Sequence, residues 1–161
     1  MRSDILRLLE KSGKLSPEEI AVRLDLDVEK VEEVIKQLEE EQVIVKYCAL
    51  VDWDKTDREI VTALIDVKVT PERGLGFDAV AKRIYKFPEV SSVFLMSGGY
   101  DLSVKVEERT MKEVALFVAE KLATIDQIQS TATHFMLKTY KKDGVVFKKE
   151  NQDAERLVIS P

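Results

Sequence analysis

The chain opens on a helical pattern. Ile5, Leu8 and Leu9 recur three and four residues apart, one face of a helix over residues 3–12, with Gly13 placed to supply a left-handed closing residue. Ser16-Pro17-Glu18-Glu19 predicts the next helix start: Ser16 caps, Pro17 fits the first turn, and Glu19 completes a capping box. Ile20, Ala21 and Leu24 form its buried stripe. Asp27 then caps a third helix with an apolar stripe of Val28, Val31, Val34, Ile35 and Leu38. Two helices joined by so short a turn predict a helix-turn-helix. The run Val43 to Val51, rich in β-branched and aromatic residues, reads as a strand or hairpin, the wing of a winged helix.

From residue 60 the period changes. Val61, Ala63, Ile65, Val67 and Val69 alternate with Thr62, Asp66 and Lys68, a period-two strand. A loop over residues 70–76 leads to a helix with the stripe Phe77, Val80, Ala81, Ile84 and Tyr85, which stops at Phe87-Pro88 because the residue before proline avoids helical angles. Val90 to Met96 predicts a strand, Gly98-Gly99 a tight hairpin turn, and Leu102, Val104 and Val106 the returning strand. Thr110 and Glu113 form a capping box for a helix with the face Met111, Val114, Ala115, Val118 and Leu122, and a last strand runs from about Gln129 to Lys141. The order β-α-β-β-α-β matches the ferredoxin-like split βαβ, so the fold class is α+β. Apolar residues lie on both sheet faces, Ala132 and Met136 opposite Phe135 and Leu137, and Leu64 opposite Ile65. The economical solution is a homodimer in which two open faces pack together.

Composition narrows the function classes. With 161 residues, 45% hydrophobic and 34% charged, the chain is that of a folded protein of one large or two small domains. No apolar run approaches the roughly 18 to 20 residues of a membrane span, and no leader pattern opens the chain, which predicts a cytoplasmic site of action. One cysteine, Cys48, and one histidine, His134, exclude a disulfide framework and a multi-ligand Cys/His zinc site. No phosphate-binding glycine loop is present, no cofactor is implied, and no catalytic constellation is found. His134 alternates with Phe135 on a strand and reads as a packed or interface histidine, so an enzyme is not expected.

Charge is unevenly placed. Residues 1–45 hold 7 Lys and Arg against 12 Asp and Glu, whereas residues 46–161 hold 18 of each. The acidity sits in the unit expected to meet phosphate.

The order of parts resembles the Lrp/AsnC (feast/famine) family of prokaryotic transcription regulators over residues 3–142. The resemblance rests on three local stretches: Leu38-Glu39-Glu40-Glu41 to Val43-Ile44, the turn Gly98-Gly99-Tyr100-Asp101, and Thr131-Ala132-Thr133-His134-Phe135. It implies a winged helix-turn-helix DNA-binding domain over 1–51, a linker over 52–59, and a βαββαβ (RAM-type) effector-binding and oligomerisation domain over 60–142. Residues 143–161 are an extension, in which Asp143-Gly144 marks a turn and Val145-Val146-Phe147 adds a strand. The implied partners are double-stranded DNA, a small-molecule effector that is an amino acid or a related compound, and further copies of the chain as a homodimer or a ring such as an octamer. Carried over from the family, the effector positions are Gly98, Gly99, Tyr100 and Asp101 with Thr131 and Thr133. Glycine N–H groups approach a carboxylate closely, and Asp101 can accept from an ammonium. The alternative is that Gly98-Gly99 is only a turn and Asp101 only stabilises it.

The third helix departs from the family pattern. From Val28 to Glu41 it carries Glu29, Glu32, Glu33, Glu39, Glu40 and Glu41 against Lys30 and Lys36, with Glu33 and Val34 where the family usually has arginines. Glu32 and Lys36 are spaced as an ordinary solvated pair. Two readings follow. In one, Lys30, Lys36 and Gln37 reach the groove while Arg2, Lys14, Arg23 or Lys46 meet phosphates. In the other, an acidic helix-turn-helix has lost DNA binding and serves as an interaction module on a ligand-sensing core.

Overall fold

The computed structural model describes residues 1–70 and 76–147 and divides into two compact units after Val51. The first unit holds α1 (Arg2–Lys11), α2 (Pro17–Leu24) and α3 (Val28–Glu40). Their apolar stripes converge as expected, with Ile5, Ile20, Val31 and Leu38 essentially inaccessible and Leu9, Ala21 and Val34 beside them. Ser16 and Glu19 make the reciprocal capping box, Ser16 N–H to Glu19 Oε2 at 2.9 Å and Glu19 N–H to Ser16 Oγ at 3.3 Å. Asp27 caps α3 through the Glu29 N–H at 3.2 Å. Asp25, between α2 and α3, has φ 54°, a left-handed conformation that aspartate tolerates better than most residues and that makes the turn tight. Gly13 does not take the expected left-handed role. The α1 helix is instead closed by Ser12 in an extended conformation whose N–H reaches the Leu8 carbonyl at 2.9 Å.

The strand expected for the wing is not formed among the described residues. Residues 43–51 make no strand pairing with other described residues, and Val43, Val45, Tyr47, Leu50 and Val51 are exposed. A β-prone sequence becomes a strand only when its N–H and C=O groups find a ladder partner. Here the segment is tied at its start by the Val43 and Ile44 N–H groups to the Leu38 carbonyl at 2.9 and 3.0 Å, and in its middle by the Tyr47 side chain to Glu39.

The second unit begins with a short helical turn at Trp53–Lys55 and then builds β1 (Val61–Val69), α4 (Phe77–Ile84), β2 (Val90–Leu95), β3 (Leu102–Glu108), α5 (Met111–Phe117) and β4 (Ile128–Phe135). Part of the predicted 70–76 loop, residues 71–75, lies outside the described residues. The sheet is antiparallel in the order β2-β3-β1-β4, the ferredoxin-like arrangement. Cross-strand partners share a face, so the register assigns the sides: Ala63 with Val106 and Phe135, Ile65 with Val104 and Thr133, Val67 with Leu102 and Thr131. This side packs with Val80, Ile84, Val114, Phe117 and Leu122 into the core.

Several boundaries differ from the sequence reading. The last strand ends at Phe135, not Lys141, and Leu137 beyond it is exposed. In α5 the buried face is Val114 and Phe117, leading to Leu122, while Met111 and Ala115 face outward. Phe117 outweighs either residue in apolar area and meets Phe87 edge-on, with centroids 5.6 Å apart. Tyr85 is likewise exposed. The β2–β3 connection spans Met96 to Asp101 instead of a two-residue turn, and Gly98 alone of its glycines has positive φ, at 141°. Beyond β4, residues Lys141–Lys142 (β5) and Val145–Val146 (β6) form a separate hairpin around Asp143-Gly144, as the sequence suggested. The remainder of the extension, residues 148–161, lies outside the described residues.

Candidate nucleic-acid interface and effector site

Lys14, Arg23, Lys30, Lys36, Gln37 and Lys46 are all solvent-exposed in the first unit. Lys14 sits in the turn before α2, Arg23 in the last turn of α2, Lys30, Lys36 and Gln37 on α3, and Lys46 in the extended segment after it. The polar side of α3 is internally neutralised in part. Lys36 approaches Glu40 at 3.9 Å, rather than Glu32 as the spacing suggested, and Gln37 donates to Glu33 at 3.4 Å. These pairs are surface contacts that cost little to exchange for phosphate. Arg2 is committed more firmly, because its guanidinium grips the Glu41 carboxylate through both nitrogens and holds that carboxyl below its ordinary range. Tyr47, which the sequence reading did not single out, donates to Glu39 at 2.9 Å. Burial first, then the Glu39 carboxylate, pushes its phenol up to about 12.

In the second unit, the β2–β3 loop is fixed at the end of β1. The Asp101 N–H donates to the Val67 carbonyl at 3.0 Å, and the Asp101 carboxylate accepts the Val69 N–H at 2.8 Å. Lys68 Nζ lies 3.3 Å from the same carboxylate. The Val69 bond, against an opposing effect of burial and with help from Lys68, holds the Asp101 carboxyl below the usual carboxylate range. Gly98, Gly99 and Tyr100 are left exposed on this loop. On the other side of β1, Thr131 is the partner of Val67 and Thr133 of Ile65, so both threonines are half-buried on the helix-covered face. Asp101 and Thr131 therefore flank the same residue, Val67, while Thr133 lies one pair further along. The stabilising role that the alternative gives Asp101 is present, yet it links residues 32 apart in sequence instead of neighbours in the turn, and Lys68 joins it unannounced by any local motif.

The opposite sheet face carries Leu64, Phe94 and Met136 at 38%, 57% and 41% exposure, with Ala132 beside Asp66 in register. His134 belongs to this face, with Nε2 3.3 Å from Asp66 Oδ2, and is a surface partner instead of a packed residue. A mixed-charge depression of about 750 Å³ lies elsewhere, between Asp57–Ile60 and Glu107–Glu113, and none of the carried-over effector positions line it. Among the described residues no group of three or more His, Cys, Asp or Glu is placed to hold a metal, and no helix is long and apolar enough to cross a membrane.

Residues 2–45 match the winged helix-turn-helix DNA-binding family, and residues 62–146 match the Lrp/AsnC ligand binding domain. A Bacillus subtilis relative, the uncharacterised HTH-type transcriptional regulator YugG, is 51% identical over 160 residues, covering 99% of this chain and 96% of the relative. Among solved structures, the transcriptional regulator NMB0573 in complex with L-Met from Neisseria meningitidis superposes with a TM-score of 0.71 at 25% identity, covering 88% of this chain and 90% of that one. E. coli AsnC shares the fold, with a TM-score of 0.69 at 19% identity over 88% of this chain and 93% of its own.

Proposed function

Because this chain belongs to the Lrp/AsnC family of helix-turn-helix transcriptional regulators, we propose that its affinity for operator DNA is adjusted by an amino acid held at interfaces between βαββαβ domains. The family consists of regulators and not enzymes, and the chain carries both its DNA-binding and its ligand-binding domain. In this reading Lys30, Lys36 and Gln37 of α3 meet the groove, and Lys14, Arg23 and Lys46 meet phosphates. Arg2 is a weaker candidate than the sequence suggested, because its guanidinium is already engaged by Glu41. The protein acts in the cytoplasm, where the chromosome is.

The observation that carries the effector reading is the match of residues 62–146 to the Lrp/AsnC ligand binding domain, while the Asp101 closure of the β2–β3 loop onto β1 is equally what a turn-only role requires. That closure leaves Gly98, Gly99 and Tyr100 exposed on a loop of fixed shape, beside a strand pair whose other member supplies Thr131 and Thr133. With its carboxylate already receiving Val69 and Lys68, Asp101 shapes the site and offers its remaining lone pairs to an ammonium. A bound L-Met in the meningococcal relative favours an amino acid over other small molecules. The exposed apolar side chains Leu64, Phe94 and Met136 supply the face on which two copies pair, giving a homodimer or a higher ring.

Calorimetry of ligand-free protein against the twenty amino acids is expected to give heat with a small subset, and that ligand is expected to alter retardation of the protein's own promoter fragment. No heat with any of them removes the amino-acid effector. Failure to retard chromosomal fragments at low ionic strength, with or without the amino acids, favours the other reading, in which the acidic α3 has become an interaction module.

A further inference from the structure

We propose that the β5–β6 hairpin is a second, sequence-independent DNA contact, which supplies phosphate-directed charge that the acidic α3 lacks. This rests on the DNA-binding reading of the N-terminal unit and adds a surface outside it. Residues 138–149 contain five lysines, Lys138, Lys141, Lys142, Lys148 and Lys149, against the single acidic residue Asp143, and no other twelve-residue stretch of the chain is as basic. The structure shows the first three of these lysines exposed.

The hairpin is built as a ribbon. Asp143 and Gly144, with φ of 48° and 80°, form the tight turn, and Lys141 pairs with Val146 and Lys142 with Val145. The Phe147 N–H closes the ribbon onto the Tyr140 carbonyl at 3.0 Å. Adjacent residues of a strand point to opposite faces, so Lys141 and Lys142 place positive charge on both sides of the ribbon. Lys138 lies 4.6 Å from the centroid of the Tyr140 ring, an aromatic that is itself 70% exposed. An isolated two-stranded ribbon is marginal in water, and Val145 and Val146 stand more than half exposed. Such a ribbon fits the width of a major groove, and lysines on both of its faces meet phosphate without requiring a base sequence. The same ribbon of a second copy is a poorer occupant, since it would bring like charge against like charge.

The test uses the full chain and a fluorescein-labelled duplex of mixed sequence, with binding measured by anisotropy across a salt series. The triple variant Lys138→Gln, Lys141→Gln, Lys142→Gln is compared with a control of equal charge loss, Lys82→Gln, Lys86→Gln, Lys112→Gln, and circular dichroism and mass are recorded for each. The expected result is that the slope of log affinity against log salt flattens by about 2 to 3 in the hairpin variant, at about 0.9 for each phosphate no longer neutralised, and is retained in the control. An unchanged slope in the hairpin variant, or equal flattening in both variants, overturns the proposal. A changed assembly mass with an unchanged slope also overturns it, and identifies the occupant as another copy of the chain. Wild-type protein that binds no duplex at low ionic strength overturns the DNA-binding reading, and the hairpin proposal with it.

Discussion

The Asp101 carboxylate accepts the backbone N–H of Val69 at 2.8 Å. Because the Asp101 N–H also donates to the Val67 carbonyl, one residue fastens the β2–β3 loop to β1 by both its main chain and its side chain. The loop that carries Gly98, Gly99 and Tyr100 is thus fastened to the sheet as well as closed on itself by the Met96 N–H to the Asp101 carbonyl at 2.8 Å.

Asp101→Asn is expected to lower the melting temperature at neutral pH and to speed hydrogen exchange of the Val69 amide. The sign of its pH dependence follows from the lowered carboxyl. A group held below its unfolded value, about 3.9 for aspartate, contributes stability that is fully present above that value and is lost as pH falls through the folded value. Thermal melts of the two proteins are therefore expected to differ at pH 7 and to converge well below pH 4.

Phe117→Ala removes the largest side chain that α5 buries and leaves Phe87 without its edge-on partner. A loss of about 3 to 5 kcal/mol is expected, read as a lower urea midpoint. Met111→Ala and Ala115→Ser, at positions the helical spacing would have assigned to the core, are expected to change stability by less than about 1 kcal/mol because both are exposed.

Leu64→Asp with Phe94→Asp places two carboxylates on the open sheet face while leaving the helix-covered face intact. Sedimentation is expected to show an oligomer for the wild type and a monomer of unchanged circular dichroism for the variant. A wild-type monomer at micromolar concentration removes the dimer.

Lys36→Glu adds a seventh glutamate to the span from Val28 to Glu41 and takes away one of its two lysines. Affinity for the protein's own promoter is expected to fall, with the salt slope flattened by about 0.9 because one fewer phosphate is neutralised. Unchanged affinity takes Lys36 off the DNA-facing surface.

How much of this was legible depends on the range of the interaction. The caps of Ser16, Asp27 and Thr110 were readable because each joins residues two or three apart, and Thr110 meets its Glu113 partner at 2.9 Å as the capping-box spacing requires. The alternation of β1 was readable because one of its faces is buried throughout. The segment 43–51 misled, since strand propensity says nothing about whether a ladder partner is at hand. Gly13 misled because a glycine after a helix permits a left-handed closure without requiring one. In α5, counting apolar positions chose Met111 and Ala115, while the volume of Phe117 decided the packing. The Lys68–Asp101–Val69 arrangement left no local mark, because it joins segments more than thirty residues apart. Of the candidate site, the sequence reading named Asp101 and the lysines of α3, but the sharing of Lys36 and of Arg2 with neighbouring glutamates is visible only in three dimensions.

The central place of β1 has a consequence for how the domain is made. It is the first of the four main strands to leave the ribosome, yet its edges are completed only by β3 and, last of all, by β4. Until Ile128–Phe135 has been synthesised, an apolar strand with a bare edge waits in the nascent chain, the circumstance in which strangers add to a sheet. Assembly here is non-local by construction, and late closure of the sheet follows from the strand order itself.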